Sequence, residues 1–225
     1  MRKRSIWFYI FIYFLIFVAA LAVMAAMVFV RVNKLTKESV KIVSMDINSE
    51  SVDMSLKLSG KYGLIEKTIK DYINEYVTDV QRLSGLGADD KLAEILGTEN
   101  MLKDAPDFKE SRAYLDQLRT ETDELTEKLI KMGTRESVDK AFSDTGLNSF
   151  LRRVYNNQMY KTISLDFFYP AEELLKASEQ LESIYDEKEK VLDFLTDNKD
   201  RWHFDNNMIE FENEDLLNEY LNLAG

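Results

Sequence analysis

Cysteine is absent from the 225 residues, histidine occurs once, proline twice and glycine eight times. Without cysteine there can be no disulfide, thiolate metal site or cysteine nucleophile. Any imidazole-based metal site or triad would have to use His203. Its place beside Trp202 in a short alternating stretch reads as a half-exposed strand residue. Scarce glycine and proline among many charged and aliphatic residues suit helices and exclude a sandwich. A phosphate loop is also missing, because Gly85-Leu86-Gly87 has no Lys-Ser/Thr after it. The Asp-x-Asp-x-Asp-Gly spacing of a calcium loop does not occur. Paired acids at Asp89-Asp90, at Glu172-Glu173 and along residues 210–215 read as solvated surface, and Phe167-Phe168-Tyr169 reads as core. No catalytic, cofactor-binding or metal-binding residue is assigned, so the expectation is a non-enzyme that takes no cofactor.

What the chain does have is acid. It carries 29 Lys and Arg against 40 Asp and Glu, a net charge of −11. Four of the basic residues lie at or before Arg31 and no acid does, leaving 25 against 40, or −15, for the remainder. Such a surface repels phosphate backbones, so no nucleic acid partner is expected.

It also has one uncharged stretch, residues 6–30, of about 25 residues. As a helix it is ~38 Å long, against a hydrocarbon core of ~30 Å. Its Leu, Ile, Phe and Val residues favour the bilayer by ~5–9 kcal/mol on the insertion scale, and Trp7, Tyr9 and Tyr13 suit a headgroup layer. The competing reading is a cleaved signal, with Arg2, Lys3 and Arg4 as its basic leader and Ala20-Leu21-Ala22 as a small-x-small site. Apolar sequence continues past that site through Phe29, longer than a signal needs, which favours a retained anchor. Basic residues flank both ends, with Arg31, Lys34, Lys37 and Lys41 on the far side, so the positive-inside rule gives little bias. A short basic leader usually stays in the cytoplasm, which places the large domain outside.

Beyond the anchor two patterns compete over residues 31–58. Val40, Val43, Ile47, Met54 and Leu58 fall near helical spacing, whereas Val52, Met54, Leu56 and Leu58 alternate. Helix is favoured because neither Gly nor Pro intervenes before Gly60. Gly60 and Gly63 then mark a kink or turn, and Ile65, Ile69, Tyr72, Ile73, Tyr76, Val80 and Leu83 define a helix ending before Gly85. Asp89 or Asp90 caps a short helix carrying Leu92, Ile95 and Leu96. Asp104-Ala105-Pro106-Asp107 opens a long helix, with Pro106 tolerated in its first turn and Gly133 at its end. Phe108, Ser111, Leu115, Leu118, Thr122, Leu125, Leu129 and Met132 form its seam for another helix.

Thr134 caps a further helix with Val138 and Phe142, Gly146 breaks it, and Phe150, Leu151, Val154 and Tyr155 resume the apolar face. Residues 161–169 could alternate as a strand or close a helix before Pro170. Leu174, Ser178, Leu181, Tyr185, Lys188, Leu192 and Leu195 give a second long helix reaching about Asn198. Trp202 and Phe204, then Ile209 and Phe211, flank Asp205-Asn206-Asn207 as a hairpin that must pack its aromatics on the bundle. A short helix with Leu216, Leu217, Tyr220 and Leu221 closes the chain.

Pro106-Asp107-Phe108-Lys109, followed by Ser111, Tyr114-Leu115 and Leu118, resembles the Pro-Asp/Glu-Leu-Lys-x-Asn-x-x-Phe-x-x-Leu motif of the LemA family. Tyr155-Asn156 and the later Tyr169-Pro170 are similar to its Tyr-Asn…Phe-Pro ending. Asp53, Leu56-Lys57 and Leu64-Ile65 are similar to its Asp-Val-Gln-Leu-Lys…Leu-Ile-Pro stretch, and Asn33-x-Leu35 follows the anchor as it does there. The family's Arg pair after Leu-Lys is missing, two extra residues precede Leu64, and Glu66 stands where the family has Pro. A longer stretch separates the Pro-Asp and Tyr-Asn motifs, around residues 133–146. The resemblance covers roughly residues 33–170. It implies an antiparallel helical bundle on a membrane anchor, with no agreed catalytic residues.

The expected fold is all-α: one N-terminal transmembrane helix, an antiparallel bundle of long helices, and a small C-terminal β-hairpin with a short helix. Residues 1–32 are read as basic leader and anchor, 33–170 as the LemA-like bundle and 171–225 as the long helix with its hairpin and helix extension. Two functions follow. The first is a non-catalytic interaction or scaffold module on a single-pass anchor in the cell membrane, with the bilayer and another envelope protein or its own copies as partners. The second is a tethered sensor binding a small ligand between helices, suggested only by the polar seam residues Ser111, Thr122, Ser178 and Lys188, positions that more often set register.

Overall fold

A computed structural model describes residues 6–205 and 208–224. Arg2, Lys3, Arg4, Asn206 and Asn207 lie outside the described residues, as do the side chains of Trp7 and Tyr9. Among the described residues, nine α-helices and one hairpin follow in order: α1 (Ile6–Val43), α2 (Gly60–Leu86), α3 (Asp90–Glu94), α4 (Thr98–Asp104), α5 (Lys109–Met132), α6 (Arg135–Ser143), α7 (Ser149–Asn157), α8 (Ala171–Asp197), β1 (Trp202–Asp205), β2 (Met208–Phe211) and α9 (Glu214–Ala224). The fold is the expected all-α arrangement closed by a hairpin and a short helix. Packing divides it into two units that do not follow chain order.

The first unit takes Met1–Met45, Val52–Asn74 and Arg135–Phe167. Over its apolar length α1 is uncovered, and it is long and apolar enough to cross a membrane, a test that an N-terminal signal sequence also passes. Without a break it then becomes a stave of the unit, burying Leu35, Glu38, Ser39 and Ile42 at helical spacing. Expectation and structure part here. Val40 and Val43 are exposed, and the helix stops at Val43 instead of running toward Gly60. Short polar side chains follow its end: the Ser44 hydroxyl donates to the Lys41 carbonyl at 2.9 Å, and in the crossing segment the Asp53 carboxylate accepts from the Ser55 amide at 2.9 Å. Such residues offer the backbone a local alternative to helix. Residues 50–59 cross without regular structure, so neither the helix nor the alternating strand forms there.

Gly60, at φ +61°, starts α2, and Gly63 lies inside it without kinking it. A Cβ at Gly63 would stand 2.7 Å from the Leu58 carbonyl oxygen, so glycine is what lets the crossing segment lie against the helix. The first half of α2 buries Tyr62, Ile65, Ile69 and Ile73. Opposite these, α6 contributes Val138 and Phe142, and α7 contributes Leu151, Val154 and Tyr155. The Tyr155 hydroxyl donates to the Val138 carbonyl at 2.9 Å, and its ring lies 4.9 Å from Phe142. Asn148 caps α7 by accepting from the Leu151 amide, two residues after Gly146 takes φ +67°. Past Asn157 the helix widens into a π turn over Gln158–Ile163 and then a 3-10 turn, so residues 161–169 close a helix and form no strand.

The second unit takes Asp46–Ser51, Glu75–Thr134 and Phe168–Gly225. Its frame is α5 against α8. Arg112 pairs with Asp193 at 2.6 Å, Arg119 with Asp186 at 2.7 Å, and Thr122 meets Tyr185, so the two helices run antiparallel. Asp89, and not Asp90, caps α3. Pro106 falls outside the helix it was expected to open, since α5 starts at Lys109. Asp104 nevertheless serves that start, accepting from the Glu110 amide at 3.0 Å and the Ser111 amide at 2.8 Å. The hairpin registers Trp202 with Phe211 and Phe204 with Ile209. As required of so short a ribbon, it packs on helices: the Trp202 indole N–H donates to the Leu195 carbonyl at 2.7 Å, its ring stacks on Phe108, and Phe211 lies against Phe194 and Tyr220.

Candidate functional site

Residues singled out for chemistry are scattered. The His203 side chain is 70% exposed and lies 3.7 Å from Glu210, its partner across the hairpin. Asp89 is occupied as a cap and accepts from the Tyr114 hydroxyl at 2.5 Å. That bond, with the α3 amides, holds its carboxyl below the ordinary value, while burial and Asp89 itself push the Tyr114 phenol up to about 12. Glu172 and Glu173 sit in the first turn of α8, where the helix dipole favours acids. Phe168 is core, edge-on to Tyr76 at 4.8 Å. Among the described residues, no group of three or more metal-ligating side chains lies close enough to share an ion.

Two of the polar seam residues are spent on internal hydrogen bonds. Ser111 accepts from the Asn100 amide nitrogen at 3.0 Å, and Thr122, fully buried, is 3.1 Å from the Tyr185 hydroxyl. Ser178 is buried and Lys188 only half-buried. An internal bond of this kind fixes the register of α5 on α8 and leaves little for a ligand. One apolar cleft in this unit lies elsewhere: about 340 Å³ between Val80 and Leu83 of α2 and Leu174, Leu181 and Ile184 of α8, with Asn48 and Tyr169 also lining it. Beside it the Tyr169 amide donates to the buried Tyr76 hydroxyl at 2.7 Å. Burial dominates at Tyr76 and pushes its phenol up to about 12, so it is a neutral hydroxyl.

A cluster that reading the sequence missed lies in the first unit. On the buried face of α2, Glu66 and Lys70 stand one turn apart with side chains 1% and 2% exposed, and their ends are 2.9 Å apart. The Lys70 ammonium also donates to the Ser55 carbonyl at 2.8 Å and reaches Glu38 of α1 at 3.4 Å, so each of its three protons has an acceptor. Glu66 accepts from the Lys57 amide at 3.0 Å and the Leu58 amide at 2.8 Å. Glu38 takes a second cation, Lys41, at 2.8 Å. Two carboxylates and two ammoniums thus balance. Together they tie the buried, C-terminal stretch of α1, the irregular crossing and α2 into one body. The signal in the sequence is Glu66 and Lys70 at i,i+4 beside Ile65, Ile69 and Ile73, a charged pair flanking the apolar stripe.

Nearby, the Gln158 amide nitrogen donates to the Thr36 hydroxyl at 3.2 Å at the start of the π turn. What the arrangement can do is mechanical. A charged layer this dry has few alternative positions, so α1 cannot rotate or slide in the unit without stranding a buried ion.

The matching family gives the class. Its description is "Protein of unknown function (DUF3053)", and it matches residues 66–224, more than half of the chain, so the protein belongs to that family. The match opens at Glu66 and leaves α1 outside it. No curated protein and no solved structure matches the chain.

Proposed function

We propose that this is a single-pass, membrane-anchored helical module that works as a non-catalytic scaffold at the cell envelope. The observation that carries the reading is the continuity of α1: apolar and uncovered along residues 11–30, then, with no break, a buried stave locked by Lys70. A helix needing a nonpolar surrounding on one length and holding a folded unit on the next is built to fix that unit at a bilayer. The soluble part is assigned to the extracytoplasmic side. Resemblance to the LemA family over roughly residues 33–170 supports the same architecture.

The partner is assigned as another envelope protein or a second copy of this chain. Leu217 and Leu221, one turn apart on α9, and Met208 of the hairpin are exposed and apolar, which supports the C-terminal end as the docking surface. A photo-crosslinking residue at Leu221 tests this: a discrete adduct in cells is expected, and the uncrosslinked full-length monomer as the sole product contradicts it. Protease accessibility of a tag after Gly225 in intact cells reads the side of the membrane.

A second reading, a small-ligand sensor, rests on the cleft of about 340 Å³ in the α5–α8 unit. It is apolar with a few polar rim groups, as ligand clefts are. A thermal-shift screen of envelope metabolites checks it, and no stabilising compound would count against it.

A further inference from the structure

Where α1 turns from apolar to basic, a groove of about 460 Å³ opens beside it. One wall is a single stripe of α1, Val23, Met27 and Val30 followed by Arg31 and Lys34, at the i, i+4, i+7, i+8, i+11 spacing of one helix face. That stripe is ~16 Å long at 1.5 Å per residue, graded from hydrocarbon-loving to cationic. The other wall is the crossing segment, which contributes Lys57, Leu58 and Ser59.

This second wall does not float. The Lys57 and Leu58 amides are both held by the buried Glu66 carboxylate, and Gly63 lets their segment lie close against α2. Arg31 is placed over the Tyr62 ring, 5.6 Å from its centre. Lys34 has no acidic partner among the described residues, and the Lys57 ammonium donates to the Ser55 hydroxyl and pairs with Asp53 at 3.3 Å, exposed contacts that are easily exchanged. Three cations converging at the end of an apolar trough are out of keeping with a chain whose remainder is strongly acidic. Free phosphate would use only the cations, and a fatty chain only the trough.

We infer that this groove is a binding site for one anionic glycerophospholipid, its phosphodiester held by Arg31, Lys34 and Lys57 and an acyl chain laid along Val23, Met27 and Val30. It rests on the anchor reading and adds a lipid preference to it. The lipid would fill the space between anchor and crossing segment and couple the unit to the composition of the leaflet.

The test is native mass spectrometry of the full-length protein from micelles holding equal phosphatidylglycerol and phosphatidylcholine, with carbonate extraction of membranes as a separate readout. Selective retention of one phosphatidylglycerol is expected, falling roughly fivefold for each cation removed in Arg31→Gln, Lys34→Gln and Lys57→Gln. Lys37→Gln, outside the groove, should leave it unchanged. Equal retention of the two lipids by wild-type protein that resists carbonate overturns the groove and leaves the anchor standing. Release of the wild-type chain by carbonate removes both. Displacement of the lipid by excess inorganic phosphate also overturns the proposal, because the apolar wall would then contribute nothing. Circular dichroism keeps a misfolded variant from passing as a loss of binding.

Discussion

Lys70 and Glu66 meet at 2.9 Å in a place where neither side chain exceeds 2% exposure, with Glu38 of α1 completing the contact. A buried pair is weak evidence of net stability, because desolvation offsets much of the attraction, but removing one partner is costly. Lys70→Met should therefore destabilise by ~3–5 kcal/mol, with Glu66→Gln added to it recovering part of the loss. Thermal unfolding in detergent, followed by circular dichroism, measures both. Wild-type stability in Lys70→Met would mean that water already reaches the cluster.

Gly63 has a steric role distinct from that charge. Gly63→Ala puts a methyl 2.7 Å from the Leu58 carbonyl oxygen, on rigid backbone, so the crossing segment must move off α2. The cost should exceed ~1 kcal/mol even though Ala is the better helix former by about that amount. Hydrogen exchange at the Lys57 and Leu58 amides should quicken in the variant. Unchanged exchange would show that the segment is not held as described.

Thr122 and Tyr185 form a closed pair in the α5–α8 seam. Thr122→Val or Tyr185→Phe alone should each cost ~1–3 kcal/mol by leaving the other hydroxyl buried and unbonded, whereas the double replacement, equal in shape, should cost less than the two summed. A double-mutant cycle on urea midpoints gives the coupling. Strict additivity would remove the pair from the account of register.

Asp104 supplies a pH dependence. Burial pushes its carboxyl up, but the Ser111 and Glu110 amides outweigh that and hold it below the ordinary value. A carboxyl depressed in the folded state stabilises above its unfolded value and loses that contribution as pH falls through the folded one. Asp104→Ala should thus cost ~1–2 kcal/mol at neutral pH. The difference from wild type should shrink toward zero as pH falls below ~4. A difference independent of pH would point to packing.

The long helices, the hairpin and the last helix were legible because each announces itself locally. Ser178, Leu181, Tyr185 and Leu192 recur on one face of α8, and Trp202 and Phe204 alternate around a turn. Residues 44–59 were illegible for the opposite reason. Their conformation is fixed by single bonds, such as Asp53 to Ser55 and Glu66 to the Leu58 amide, that leave no periodic trace. Glu66 and Lys70 were passed over because charge in an apolar stripe ordinarily marks its edge; only the arrival of Glu38 from α1 makes them core. A partner on another helix is invisible to periodicity.

The proposed anchor, ending in a locked stave, can be probed at two sites on α1, and the absence of native cysteine makes single-cysteine labelling unambiguous. Val18→Cys lies in the apolar length and Val40→Cys on the exposed side of the soluble length. In inverted and right-side-out membranes, an impermeant maleimide should label Val40→Cys in one orientation only and Val18→Cys in neither until detergent is added. Labelling of Val18→Cys without detergent, or recovery of the full-length chain in the soluble fraction, would contradict the account.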